Sequence, residues 1–160
     1  FSCMRESKTV RESMTELSEV MQPIHANHYG NVNGGDIMNL VDASAFVVAT
    51  RHARTNVVTA SIDRMVFKAP VYIGDIIILK AAINYVGRTS MEVGVRIETE
   101  RLKDGVRVNV GSAYVTMVAL DKDGKPTDIP GLILETDEDR RRNTEAQKRR
   151  AIRLAEKVKG

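Results

Sequence analysis

Residues 36–51, DIMNLVDASAFVVATR, decide the fold. Ile37, Leu40, Val41, Ala45 and Val48 recur at helical spacing, with no Gly or Pro among them. Ala43, Ser44, Ala45 and Ala49 keep the segment slim. The spacing predicts a helix about 25 Å long. A helix this apolar is wrapped by other structure rather than perched on a surface.

Outward from that helix the periodicity changes. Residues 8–22 alternate loosely and are read as an opening strand, and His25–Gly35 is a loop rich in glycine and asparagine. After the helix, VVTASIDRMVF (57–67) is β-rich and IIILKAAINYV (76–86) is apolar enough for a strand buried on much of both faces. MEVGVRIET (91–99) puts Met91, Val93, Val95 and Ile97 on one face and Glu92, Arg96 and Glu98 on the other. VRVNVGSAYVTMVAL (106–120) follows the Lys103-Asp104-Gly105 turn, and residues 137–158 read as a polar helix. A strand, a long helix and four strands in series, joined by successive hairpins, imply an antiparallel sheet whose concave face the helix covers. This is the α+β hotdog arrangement, a long central helix wrapped by an antiparallel β-sheet with a C-terminal helical tail. The expected division is a hotdog domain at 8–135 and a basic helix or tail at 136–160.

Composition narrows the class. The chain has 160 residues, 42% hydrophobic and 28% charged, enough for one core without disulfides or metals. The single cysteine, Cys3, excludes an internal disulfide and a multi-cysteine zinc site. No signal peptide or bilayer-length apolar run is recognisable, so a cytoplasmic protein is expected, with Met4 a candidate natural start. Residues 140–160 carry a net charge of +7 and the remaining residues −4. The basic balance therefore belongs to the tail. A nucleic-acid partner, which needs a basic face on the folded body and stacking aromatics, is not expected, nor is a membrane.

Chemistry concentrates in His25–Asp42, HANHYGNVNGGDIMNLVD. Gly34-Gly35 sit at the helix start, where amides lack intrahelical partners and the dipole is positive. Glycine lets a carbonyl approach those amides, which describes an oxyanion hole. The same pair also serves as plain turn geometry. Asp42, two turns further in among Leu40, Val41, Ala43 and Ala45, is a carboxylate on a helix expected to be buried, which calls for a partner or a task. Asn27 either orients a substrate or water or simply shapes the turn.

The run Asn27-x-x-Gly30-x-x-x-Gly34-Gly35 followed by Asp42 resembles the hallmark of hotdog acyl-CoA thioesterases of the cytosolic, or brain acyl-CoA hydrolase, type. The similarity continues through Ala49-x-Arg51-His52, Asn56-Val57-Val58-Thr59-Ala60-Ser61, Phe67-x-x-Pro70-x-x-x-Gly74-Asp75 and Gly87-Arg88-Thr89-Ser90-Met91-Glu92. It runs on to Pro130 and Glu135-Thr136-x-Glu138-x-x-x-Arg142, covering roughly residues 15–150. The resemblance implies hydrolysis of acyl-CoA to free acid and CoA, with Asp42 and Asn27 catalytic and contributed by different subunits. It also implies a homodimer, with a hexamer built as a trimer of dimers. Whether Asp42 activates water or attacks the thioester stays open.

Arg88, Thr89 and Ser90 lie between two strands and offer a guanidinium, hydroxyls and amides to CoA phosphates, or else form an ordinary hairpin turn. Thr59 and Ser61 are candidates for the acyl channel. His25 and His28 lack a third ligand, so no metal is expected, and no cofactor apart from the CoA of the substrate. His52 reads as a C-terminal helix residue favoured by the dipole. The tail helix reads as a solvated face or as a dock for a neighbouring subunit. Two rival readings are a hotdog hydratase or dehydratase using His28 with Asp42, and a non-catalytic acyl-CoA-binding module.

Overall fold

The computed structural model describes residues 6–159, so Cys3 and Met4 lie outside the described residues. In chain order the elements are β1 (Lys8–Thr9), β2 (Thr15–Val20), a 3-10 turn (Pro23–His25), α1 (Gly34–Ala53), β3 (Asn56–Phe67), β4 (Ile76–Val86), β5 (Ser90–Glu100), β6 (Arg107–Leu120), β7 (Leu132–Ile133) and α2 (Asp137–Lys159). The expected long helix and β-rich remainder are both present. The opening segment is not one strand, however. The Thr9 amide and hydroxyl both donate to Glu12, turning the chain, and β1 instead pairs in parallel with β7.

β2, β4, β5, β6 and β3 form one antiparallel sheet in that order. β4, β5 and β6 are the expected meander, but β3 does not pair with β4. It lies at the far edge beside β6. The reason is the 68–75 connection, which is tied elsewhere: Val32 N donates to Val71 O at 2.8 Å and Met21 N to Asp75 O at 2.9 Å. Those bonds carry the chain across the mouth of the sheet instead of back along β3.

One side of α1 presents Ile37, Val41, Ala45, Val48 and Ala49, all buried, to the concave face. There they meet Met91, Val93, Val95 and Ile97 of β5, whose alternation follows the two-residue period. Each fully buried Val, Ile or Met contributes about 1.5–3 kcal/mol relative to exposure. The helix ends at Arg54, the left-handed residue that closes it. β3 is irregular at two places where its register with β6 shifts. At the second, Gly111 is obligatory, because an added Cβ would lie 2.0 Å from the Val66 carbonyl oxygen.

α2 crosses the outer face of the sheet. The Arg149 guanidinium grips Glu92, only 2% exposed, at 2.7 Å and stacks 3.6 Å from the Tyr114 ring centroid. The Asn84 amide donates to the same carboxylate at 3.1 Å. Breaking a buried pair of this kind costs about 3–5 kcal/mol, so this stretch of the tail is part of the fold.

His52 is fully buried against the C-terminal segment, with Nε2 2.8 Å from the Pro130 carbonyl oxygen and Nδ1 without a partner among the described residues. Burial pushes its pKa below the ordinary 6.5, so it sits neutral rather than as the charged residue expected from the helix dipole. The dipole is answered by Lys8, whose ammonium donates to the Arg51 and His52 carbonyls. With the folded value lowered, the unfolded chain takes up its proton first as pH falls. The stability His52 confers is thus complete above about pH 6.5 and declines below it. His52→Gln keeps a donor for Pro130 and is expected to lose less melting temperature than wild type between about pH 7.5 and about pH 5.5. Equal losses in the two proteins would assign the acid sensitivity to other groups.

Candidate active site

The loop before α1 is built by its asparagines. Asn27 Oδ1 accepts from Tyr29 N at 2.9 Å and Asn31 N at 3.1 Å, and Asn27 N donates to Asn31 O at 2.7 Å. Gly30, at φ 81°, makes the reversal. Asn27 thus shapes the turn with its oxygen, while its Nδ2 donor has no partner among the described residues. Both roles left open by the sequence are available to one side chain.

Asn33 caps α1, its Oδ1 accepting from Gly35 N at 3.0 Å. Asp36 N and Ile37 N both turn to Asn33 O. Of the expected pair of oxyanion donors, Gly35 is therefore already engaged, and the Gly34 amide is the one without a partner among the described residues. Sequence reading passed over Asn33, although an Asn just before a helix is a standard capping signal. A cleft of about 440 Å³ opens here, with Asn27, Gly34 and Ile37 on one side and Phe67 and Pro70 on the other.

Asp42 lies elsewhere. Eight residues of α1 separate it from Gly34, about 12 Å of helix. Its Oδ1 accepts from the Thr59 hydroxyl at 2.6 Å, and that hydroxyl also touches Met117 Sδ at 3.4 Å. Asp42 is half-buried in the protomer, not enclosed as expected, because the sheet leaves one stripe of α1 uncovered. Met38 and Phe46, one turn to either side of it, are 44% and 49% exposed.

Thr59 and Ser61 part company. Thr59 pairs with Met117 and Ser61 with Thr116, so Ala60 is an extra, bulged residue. The bulge turns Ser61 to the outer face, the face on which Asp63 meets Arg153 of α2 at 3.2 Å. Ser61 is therefore on the wrong side of the sheet to share a channel with Thr59. Nothing in the sequence marked Ala60 as the extra residue.

The turn Gly87–Ser90 is fixed by its backbone: Gly87 N donates to Ser90 O, Ile129 N to Arg88 O and Ala119 N to Thr89 O. The Arg88 side chain is 86% exposed, with Asp128 at 3.9 Å its nearest ionic neighbour. Ser90 pairs with Val118 and Met91 with Met117, the partner of Thr59. Arg88, Thr89 and Ser90 thus lie at the Asp42–Thr59 end of the sheet. Asn27 and Gly34 lie at the opposite end, beside Phe67. One protomer holds the two sets of groups apart.

Of the two histidines beside the site, His25 Nδ1 accepts from Gln22 N at 3.0 Å, and His28 is exposed on the loop.

Residues 29–106 match the thioesterase superfamily. The chain is 34% identical over 146 residues to the cytosolic acyl coenzyme A thioester hydrolase of Rattus norvegicus, an alignment covering 90% of this chain and 38% of that one. An apo-hexameric acyl-CoA thioesterase superposes with a TM-score of 0.91 at 36% identity, covering 95% of this chain and 97% of the other. The acyl-CoA hydrolase of Staphylococcus aureus, solved in complex with butyryl coenzyme A, coenzyme A and coenzyme A disulfide, gives 0.89 at 33% identity, covering 96% and 93%.

The cap at Asn33 is open to a direct check. Asn33→Ala removes the acceptor for Gly35 N and is expected to cost about 1 kcal/mol in urea unfolding, whereas Asn33→Asp keeps an acceptor and costs a few tenths at most. If the alanine variant unfolds at the wild-type midpoint, the cap contributes nothing.

Proposed function

The chain belongs to the thioesterase superfamily, and from that premise we propose that it hydrolyses acyl-CoA thioesters to a free carboxylic acid and CoA in a site shared between two protomers. The observation that carries this reading is the separation of the two halves of the site. A carboxylate steadied by Thr59 stands on an uncovered stripe of α1, while Gly34 N, about 12 Å away along the helix, and Asn27 Nδ2, on the loop before it, have no partner among the described residues.

A second copy supplies the missing half. β3 is bonded to β6 on one edge and, among the described residues, to no other strand on its second edge. An edge of this kind accepts another strand. If two β3 strands pair antiparallel about a two-fold axis, the Phe67 end of one lies beside the Asn56 end of the other. That exchange brings the Asn27–Gly34 donors of one protomer toward the Asp42–Thr59 group of its partner. It also covers Met38 and Phe46, which then border the acyl chain.

In this arrangement Asp42 Oδ2 takes a proton from water as the water oxygen attacks the thioester carbon, or attacks that carbon itself to give an anhydride that water then opens. The carbonyl oxygen, negative in the tetrahedral state, is met by Asn27 Nδ2 and Gly34 N of the other subunit. In the first route the C–S bond breaks and the CoA sulfur leaves with the proton that Asp42 took from water; in the second it leaves as the thiolate and gains its proton from the water that opens the anhydride. Thr59 is a positioning residue that holds Oδ1 and leaves Oδ2 to the reaction. In this reading exposed Arg88, with the hydroxyls of Thr89 and Ser90, meets the CoA phosphates. Hexameric relatives support further assembly of such dimers, and the cytosolic relative supports a cytoplasmic location.

The shared site is tested by mixing lesions. Asn27→Ala and Asp42→Ala are each expected to be nearly inactive. Unfolded together and refolded, half the dimers are mixed and each holds one intact site, so about a quarter of wild-type turnover returns. If mixed dimers confirmed by mass stay inactive, both residues serve the same subunit's site. For the phosphates, Arg88→Ala is expected to raise KM more than it lowers kcat on acyl-CoA, and to leave hydrolysis of a short thioester lacking the nucleotide unchanged. Equal loss on both substrates would make Arg88 structural.

A further inference from the structure

α2 does not stop where its own sheet stops. The Asn143 amide donates to the Asn84 carbonyl of β4 at 3.0 Å. Arg149 then engages Glu92 of β5 and Tyr114 of β6, and Arg153 reaches Asp63 of β3 at 3.2 Å. Ten residues of helix from Asn143 to Arg153 advance about 15 Å. Three inter-strand steps from β4 to β3 span about 14 Å. The helix therefore runs almost square across the strands and reaches the open edge at Arg153. Residues 154–159 project about 9 Å beyond it, nearly two strand widths, and residues 154–158 are all exposed.

The projection has an apolar side. Ala151, Leu154 and Val158 are spaced three and four apart, which groups them on one flank, roughly 100° round the helix from the residues that face the sheet. Leu154 is 48% exposed and Val158 is 87% exposed. The residues before them on α2 are anchored by ion pairs and stacking, yet this apolar flank is left bare at the edge strand where a second sheet would begin.

We infer that the C-terminal turns of α2 form a second contact between protomers, in which the overhang crosses the β3 seam and its Leu154–Val158 flank packs against the same flank of the partner's α2. The inference rests on the two-fold β3 pairing proposed above. A second copy fits this position. The overhang continues the line of a sheet that ends at β3, and β3 pairing extends that sheet beneath it. A two-fold axis through the middle of β3 sets the two α2 helices antiparallel over the seam, because each crosses at Asp63, near the middle of Asn56–Phe67. An isologous contact needs a self-complementary surface, and an uncharged apolar flank meets that need.

Charge exchange at this flank reads the contact directly. Leu154→Glu with Val158→Glu and, separately, Leu154→Lys with Val158→Lys place like charges against each other in homodimers. Sedimentation is expected to show each variant dissociating at protein concentrations at least about tenfold above wild type. Mixing the two variants one to one is expected to restore association to within about threefold of wild type. A mixture no tighter than its parts, or either variant associating like wild type, would overturn the contact. Should a charged pair loosen α2 itself, seen as lost helical circular dichroism, Leu154→Ser with Val158→Ser tests the same flank, and wild-type association there counts against it. A wild-type chain that stays monomeric at every concentration would instead overturn the β3 pairing, which separates that failure from this one.

Discussion

The sheet is too narrow to close round α1, and most of the structure follows from that shortfall. A helix with its side chains is about 10–12 Å across, and five strands at about 4.8 Å curl round only part of it. The covered side carries Ile37, Val41, Ala45 and Val48, and the uncovered stripe carries Met38, Asp42 and Phe46. Had the sheet closed, Asp42 would have been a costly buried charge. Left on the open stripe, it keeps access to solvent in the single protomer while Thr59 fixes one of its oxygens. The same stripe leaves apolar side chains in want of cover, so the chemistry and the appetite for a partner have one origin.

β3 and α2 extend that logic to the outer face. The bulge at Ala60 keeps Thr59 directed at Asp42 while turning Ser61 and Asp63 outward, where Asp63 anchors Arg153. One strand thus contributes to the helix-facing carboxylate on one side and to the α2 platform on the other. Glu92 and Arg149 bind α2 so firmly that its direction over the sheet is set by the fold and not by surface charge.

Much of this was legible in the amino-acid order. The 3.6-residue pattern of 36–51 located α1, the clean alternation of 91–99 located β5 and its buried face, and the asparagine–glycine loop pointed to the site. What stayed hidden was set by contacts distant in sequence. No local signal sends β3 past β4 to β6, because the bonds that redirect the 68–75 connection come from Met21 and Val32. A bulge shifts facing by one residue, so alternation alone assigned Ser61 to the same side as Thr59. The charge of 140–160 read as solvated because its buried partner, Glu92, sits on a strand more than fifty residues earlier. His52 was read from its place on the helix, and its burial under Pro130 comes from a loop it cannot announce.

The return of β3 to β6 also shapes how the chain folds. β4, β5 and β6 follow one another and pair across short turns, so their contacts are local and cheap to close. Pairing Asn56 with Leu120 instead closes a loop that contains the whole meander. Contacts of such long sequence separation are the slow ones. Time order in folding thus leaves the meander as a template and β3 as a late addition. The strand that brings Thr59 to Asp42, and offers the open edge, is added only when the surface beneath it already exists.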